Sequence, residues 1–230
     1  FEDRVTRVQS FPIGIDVAAF RADALSAGSK GDGMEARANY VIGVDRLDYS
    51  KGLPHRLRGF QAFLRDRHVE ADRLAFLQIA PPTREAVEAY QDIREETEHL
   101  AGRVNGQFAT VNWPPIRFIH RPIPRNLLAG LYRQARIGLV TPLADGMNLV
   151  AKEYVAAQDP EDPGVLILSR FAGAAAQLQD AVLVNPHSPD DIAHAIKTAL
   201  DMPLAERKRR HERMIATVRD DNVQNWTVDF

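Results

Sequence analysis

Two carboxylates flank one turn of this chain: Asp145, in Ala144-Asp145-Gly146-Met147, and Glu153 further on. An ionised Asp or Glu accepts several hydrogen bonds, which suits the hydroxyls of a sugar. Far earlier in the chain, Arg46 and Lys51 share the polar stretch Asp45-Arg46-Leu47-Asp48-Tyr49-Ser50-Lys51-Gly52. A guanidinium grips phosphate oxygens as a fork, and an ammonium acts as a movable point charge. Two such cations suit a diphosphate and would stabilise it as a leaving group without a metal. Each residue also has a plainer explanation. Most Lys and Arg are solvated surface charges, and Asp-Gly is common in ordinary loops between a strand and a helix. Arg84 can reach the same region or simply sit on a helix surface. His120 is read as a hydrogen-bonded structural residue. The other histidines, His55, His68, His99, His187, His194 and His211, lack metal-ligand spacing. Gly-x-Ser-x-Gly and Walker-type phosphate motifs are absent.

Whether these side chains meet depends on the elements that carry them. Six short apolar runs read as strands: 40–44, 74–80, 116–120, 137–141, 165–168 and 181–184. Helical patterns separate them. Pro54 suits a first turn ahead of Leu57, Phe60, Phe63 and Leu64. Thr83 can cap a helix with Val87, Tyr90, Ile93, Thr97 and Leu100 on one face. Asn105-Gly106 reads as a turn, and 108–115 as irregular chain or a short hairpin. Leu127, Leu128, Leu131 and Tyr132 form the next helix. Asn148 reads as the N-cap of a helix carrying Leu149, Val150, Glu153, Tyr154 and Ala157. Loop chain follows over 158–163, and Phe171 to Ala175 opens a helix. Ser188 or Pro189 starts another, through Ile192, Ile196 and Leu200. A last charged helix spans 204–218, with its apolar face at Leu204, Met214, Ile215 and Val218. Before the first strand, 17–39 holds at most one short helix, with a turn at Gly28 to Gly33.

This alternation, with strands apolar on both faces, predicts an α/β fold: a Rossmann-like parallel six-stranded sheet with helices on both faces. Such sheets bind ligands beyond the carboxyl ends of their strands. The loops at 46–51, 80–84, 120–125, 145–148 and 170–173 therefore share the binding edge. After Gly146, which permits close backbone approach, a helix start offers amide groups that suit phosphate. Phe171-Ala172-Gly173 either lies beside a sugar or packs tightly as a helix start. Cations, amides and carboxylates on one edge suit a nucleotide sugar. The expected units are a junction and linker over 1–39, a nucleotide-sugar-binding domain over 40–203, and a truncated helical segment over 204–230.

Composition excludes other classes. A net charge of −2, with basic residues scattered, gives no reason to expect nucleic acid or an acidic membrane surface. Without cysteine there is no disulfide framework, thiol nucleophile or Cys-based zinc site, as suits a cytoplasmic protein. No apolar run approaches the ~20 residues of a membrane helix. Phe1 and Phe230 both look like cut ends, so the chain is read as part of a longer protein.

Three stretches carry a family likeness: VDRLDYSKG (44–52), VTPLADGMNLVAKEYVAAQ (140–158) and SRFAGAAAQL (169–178). They resemble the retaining trehalose-6-phosphate synthases, and the resemblance runs from about Phe11 to Trp226. It implies a GT-B fold of which this chain is the C-terminal, donor-binding half. It also implies glucose transfer from UDP-glucose to glucose-6-phosphate, with no metal or other cofactor. By the same resemblance Arg46 and Lys51 bind the diphosphate, and Asp145 contacts the transferred glucose. Gly146 lies in the same turn, and Met147, Asn148, Leu149 and Val150 offer backbone amides to the donor. Glu153 binds the ribose hydroxyls, and Arg84 helps position phosphate at the acceptor side. Pro122 and Ile123 lie beside the uracil, although the local His-Arg-Pro-Ile-Pro departs from the family pattern and leaves the base open. Ala144 stands where an arginine is common. The implied partners are the two sugar substrates and a missing N-terminal acceptor domain, with a homo-oligomer possible in the full-length protein. The alternatives are a glucosylglycerol-phosphate synthase, another GT-B enzyme of glycogen- or sucrose-synthase type, and a non-catalytic nucleotide-sugar-sensing module. The long Asp-Gly-Met-Asn match argues against the second.

Overall fold

The computed structural model describes residues 8–27, 40–66, 74–83 and 88–229. The turn expected at Gly28 to Gly33, Val87 and Arg84 lie outside them. Strands are β1 (Tyr40–Val44), β2 (Ala75–Ile79), β3 (Ile116–Ile119), β4 (Ile137–Val140), β5 (Val165–Ser169) and β6 (Val182–Val184). Helices are α1 (Val17–Ala27), α2 (Leu53–Asp66), α3 (Glu88–Phe108), α4 (Arg125–Gln134), α5 (Leu149–Ala157), α6 (Pro189–Asp201), α7 (Leu204–Asp220) and α8 (Val223–Asp229). The strands form one parallel sheet in the order β3-β2-β1-β4-β5-β6. The Rossmann-like expectation therefore holds. The chain builds outward from β1 to β3, then returns to the middle and builds outward again from β4. The point where order reverses lies between β1 and β4, and crevices of this kind hold ligands.

Strand side chains alternate between two cores. Tyr40, Ile42, Val140, Leu166 and Leu168 face one core with Tyr132 and Tyr154. Val41, Phe76, Ile137, Leu139 and Ile167 face the other with Leu57, Phe60 and Ile196. Accordingly α1, α4, α5 and α7 cover one face, and α2, α3 and α6 the other. Fully burying a Leu or Phe side chain is worth about 1.5–3 kcal/mol, so both faces carry substantial driving force.

Three local expectations are corrected. Asn105-Gly106 is not a turn, because α3 runs on to Phe108. The Asn105 side chain bonds both the N–H and the carbonyl of Ile116 at 2.9 Å, pinning the helix to β3. Beyond it Thr110 and Trp113 form an antiparallel bridge, the tightest kind of hairpin. Next, the Phe171–Ala175 helix start is only a one-turn 3₁₀ helix, Gly173–Ala176. Third, Leu204 is exposed; Arg207 and His211 join Met214, Ile215 and Val218 on the buried face of α7, and α8 follows it. Arg207 reaches Asp162 at 2.6 Å, and His211 reaches the Val155 carbonyl at 3.1 Å.

Residues 11–15 are tied to the body at three points. The Nζ of buried Lys152 donates to the Ile13 carbonyl at 2.9 Å. Val223 N donates to the Ile15 carbonyl, and Trp226 Nε1 to that of Phe11. Among the described residues no helix is long and apolar enough to cross a membrane.

Candidate functional site

The β1 loop begins at buried Asp45 and continues through exposed Arg46 to a one-turn 3₁₀ helix, Tyr49–Lys51. Asp48 caps that turn, accepting from Ser50 N at 2.9 Å and Ser50 Oγ at 2.8 Å. Desolvation pushes the Asp48 carboxyl up. The Ser50 bonds, with Lys51 and Arg46 nearby, outweigh it and hold the group below its ordinary value. A carboxylate fixed in this way orients the turn and aims Lys51 across the crevice.

Lys51 Nζ meets Asp145 Oδ2 at 2.6 Å, with the two side chains only 14% and 15% exposed. These two residues come from the loops after β1 and β4, the strands that border the reversal point. The loops also join through their backbones, since Leu143 N donates to the Ser50 carbonyl at 2.7 Å. Asp145 is held from several directions. Its N–H donates to the Phe171 carbonyl at 3.2 Å, and its carbonyl accepts from Gly173 N at 2.9 Å. Asn148 Nδ2 donates to Asp145 Oδ2 at 3.0 Å, and Met147 N approaches Oδ1 at 3.4 Å.

Asn148 caps α5 as its type predicts, accepting from Ala151 N at 3.2 Å. It does so in a left-handed conformation, with φ 80°. Asn tolerates that region better than most residues. Gly146 has no positive φ, so the unusual backbone lies at Asn148 rather than at the glycine. A Cβ at Gly146 would meet nothing within 4 Å, which leaves that side of the turn open. Gly173 behaves oppositely: a Cβ there would lie 2.1 Å from the Gly146 carbonyl oxygen. Of the two readings of Phe171-Ala172-Gly173, tight packing against the Asp145 turn is the one the geometry supports. Leu149 and Val150 occupy the first turn of α5, where helix amides lack intrahelical partners.

Glu153 is half-buried on α5. Burial pushes its carboxyl up to about 7, against the opposing pull of Arg125. Pro122 is exposed, while Ile123 packs against the core and lines a small apolar cavity of about 170 Å³ with Leu127 and Leu131. His120 Nδ1 lies 2.7 Å from the Ala80 carbonyl, as fits a structural residue joining β3 to β2. Among the described residues no group of three or more His, Asp or Glu side chains is placed to hold a metal ion.

One residue of this region is missing from the expectations above. Arg56 on α2 is fully buried and paired with Asp45 at 2.7 Å beneath the Lys51 turn. Arginines are mostly exposed, so its type argued against burial. The signal that could have found it was its place among Leu53, Leu57, Phe60 and Phe63, on the apolar stripe of α2.

Chemically, the arrangement offers a cation and an acid side by side, a helix start, and a second carboxylate one turn along that helix. The whole chain, residues 1–230, matches the model of glycosyltransferase family 20. It is 47% identical to a trehalose-6-phosphate synthase of Sinorhizobium fredii, over 99% of this chain and 50% of that protein. It is also similar to the crystal structure of a UDP-forming alpha,alpha-trehalose-phosphate synthase from Burkholderia xenovorans in complex with glucose-6-phosphate. That match has a TM-score of 0.94 and 49% identity, covering 96% of this chain and 50% of the other. An E. coli trehalose-6-phosphate structure bound with UDP-2-fluoro glucose matches with a TM-score of 0.91 and 41% identity, covering 97% and 51%. The chain spans about half the length of these relatives.

Proposed function

Since the chain belongs to glycosyltransferase family 20, we propose that it supplies the donor-binding half of a retaining glucosyltransferase. The reaction is transfer of glucose from UDP-glucose to glucose-6-phosphate, giving trehalose-6-phosphate and UDP. The observation that carries this reading is the meeting of Lys51 and Asp145 across the β1–β4 crevice. A diphosphate needs the cation and a glucose needs the acid, and the two lie in contact.

In this reading Arg46 and Lys51 hold the diphosphate, helped by the backbone of Met147 to Val150. Asp145 accepts hydrogen bonds from the glucose, and Glu153 from the ribose. Pro122 and Ile123 border the base, and Arg84 serves the acceptor phosphate. The acceptor hydroxyl attacks the anomeric carbon from the face that the diphosphate leaves. The bond from that carbon to the phosphate oxygen breaks with its electron pair on the oxygen, and the hydroxyl proton passes to the departing phosphate. Arg46 and Lys51 stabilise the charge that develops. Protein cations thus do the work a metal does elsewhere, and the setting is the cytoplasm. Acceptor contacts beyond Arg84 belong to the other half of the longer protein.

Titration calorimetry of this chain with UDP, GDP and ADP tests the assignment. Losing a charge-assisted hydrogen bond costs about 1.5–3 kcal/mol. K51A and E153A should each weaken UDP binding accordingly. Unchanged affinity in both variants would remove the site.

A further inference from the structure

The Arg56 guanidinium has four acceptors and no solvent. Nη2 donates to Asp45 Oδ2 at 2.7 Å and to the Lys51 carbonyl at 3.4 Å. Nη1 donates to Gln78 Oε1, and Nε to Thr141 Oγ1, both at 3.0 Å. Those acceptors stand just past β1, on the turn that carries Lys51, in β2, and just past β4. One planar group thus ties three neighbouring strands to the loop that supplies the cation. The sheet makes room for it. A Cβ at Gly43 in β1 would lie 2.8 Å from Arg56 Nη1 and 2.7 Å from Gln78 Oε1. A central strand ordinarily prefers a β-branched residue over glycine.

Stability alone explains this poorly. Desolvating a guanidinium is costly, and well-packed apolar side chains commonly stabilise a core as well as a buried ion pair does. What a fork with four fixed acceptors supplies, and an apolar cluster does not, is orientation.

We infer that Arg56 is the positioning residue of the donor site. By gripping the Lys51 carbonyl together with the strand ends on both sides of the crevice, it sets where Lys51 Nζ stands relative to Asp145. It touches no ligand and acts through Lys51, so the inference rests on the reading of Lys51 as a diphosphate ligand. A lysine at position 56 keeps the charge but cannot satisfy the same acceptors from one plane.

A double-mutant cycle tests this. UDP affinity is measured by calorimetry for the unaltered chain, K51A, R56K and R56K/K51A, with circular dichroism and melting curves establishing that each is folded at the working temperature. R56K should weaken UDP roughly tenfold, as for a charge-assisted contact made in poor geometry. In the K51A background R56K should change affinity less than about twofold, since residues acting through one contact are not additive. A residue with only a structural role moves the melting temperature and leaves the coupling at zero. Affinity unchanged in folded R56K, or losses that multiply in the double variant, overturns the inference. Where R56K does not fold, T141V replaces it, deleting one acceptor at nearly constant shape. It should lose roughly two- to fivefold, again only when Lys51 is present, and multiplying losses overturn the inference. K51A binding UDP as the unaltered chain does is a separate result: it overturns the reading of the site, and this inference with it.

Discussion

At Glu153 solvation and function pull in opposite directions. The carboxyl is pushed up to about 7 by burial, yet only its ionised form accepts freely from ribose hydroxyls. The unfolded chain releases this proton near the ordinary Glu value of about 4.5, and the folded chain near 7. Between those values the folded state binds more protons, so its stability falls as pH rises through the window, and the cost is complete above it. E153Q should therefore be more stable than the unaltered chain at pH 8, by on the order of 1–3 kcal/mol, and equally stable at pH 4. Thermal melts at both pH values check this. UDP affinity should also strengthen from pH 6 to 8 more steeply in the unaltered chain than in E153Q, where only the terminal phosphate of UDP still titrates. That Lys51 and Asp145 share one edge was legible because each is a charged residue on a strand-ending loop. Arg56 was not legible. Its place on the apolar stripe of α2 signals burial but not its partners, because the acceptors Asp45, Gln78 and Thr141 lie far apart in the sequence and meet only once the strands are side by side.

Among the elements, α5 shows how a local rule and a strained backbone combine. Asn148 supplies the cap, the left-handed turn and a bond to Asp145 at once. N148A should lose about 1–3 kcal/mol in urea unfolding, the sum of a lost cap and a residue less tolerant of positive φ. N148G should lose less, because glycine accepts that backbone. Both variants lose the Asp145 contact, so a loss for N148G equal to or larger than that for N148A would show that backbone strain at this position contributes little. The inner strands β1, β2, β4 and β5 were readable because both faces of each are buried, so apolar runs had no competing pattern. Asn105-Gly106 misled because the turn preference of that pair yielded to a tertiary contact: Asn105 commits its side chain to β3. Leu204 misled because helical spacing does not reveal which face a neighbour covers.

For the whole molecule, the strand alternation fixed the architecture, but only the order β3-β2-β1-β4-β5-β6 shows which loops meet. We expect this 230-residue chain to bind nucleotide and turn over little, because it spans half of its relatives. UDP release measured with UDP-glucose and glucose-6-phosphate checks this, and turnover near that of an intact relative would contradict it. The β1–β4 join carries a further consequence. Its register covers only Val41 against Ile137 and Ile42 against Gly138, whereas β1 and β2 match over five positions. The sheet is thus two three-stranded halves laid together along a short seam, held at one end by Arg136 N on the Tyr40 carbonyl and at the other by contacts from Ser50, Lys51 and Arg56. A nucleotide lodged there would act as a staple across the halves. Amide exchange should slow most in 41–44 and 137–141 when UDP is added, and far less at the outer edges of β3 and β6.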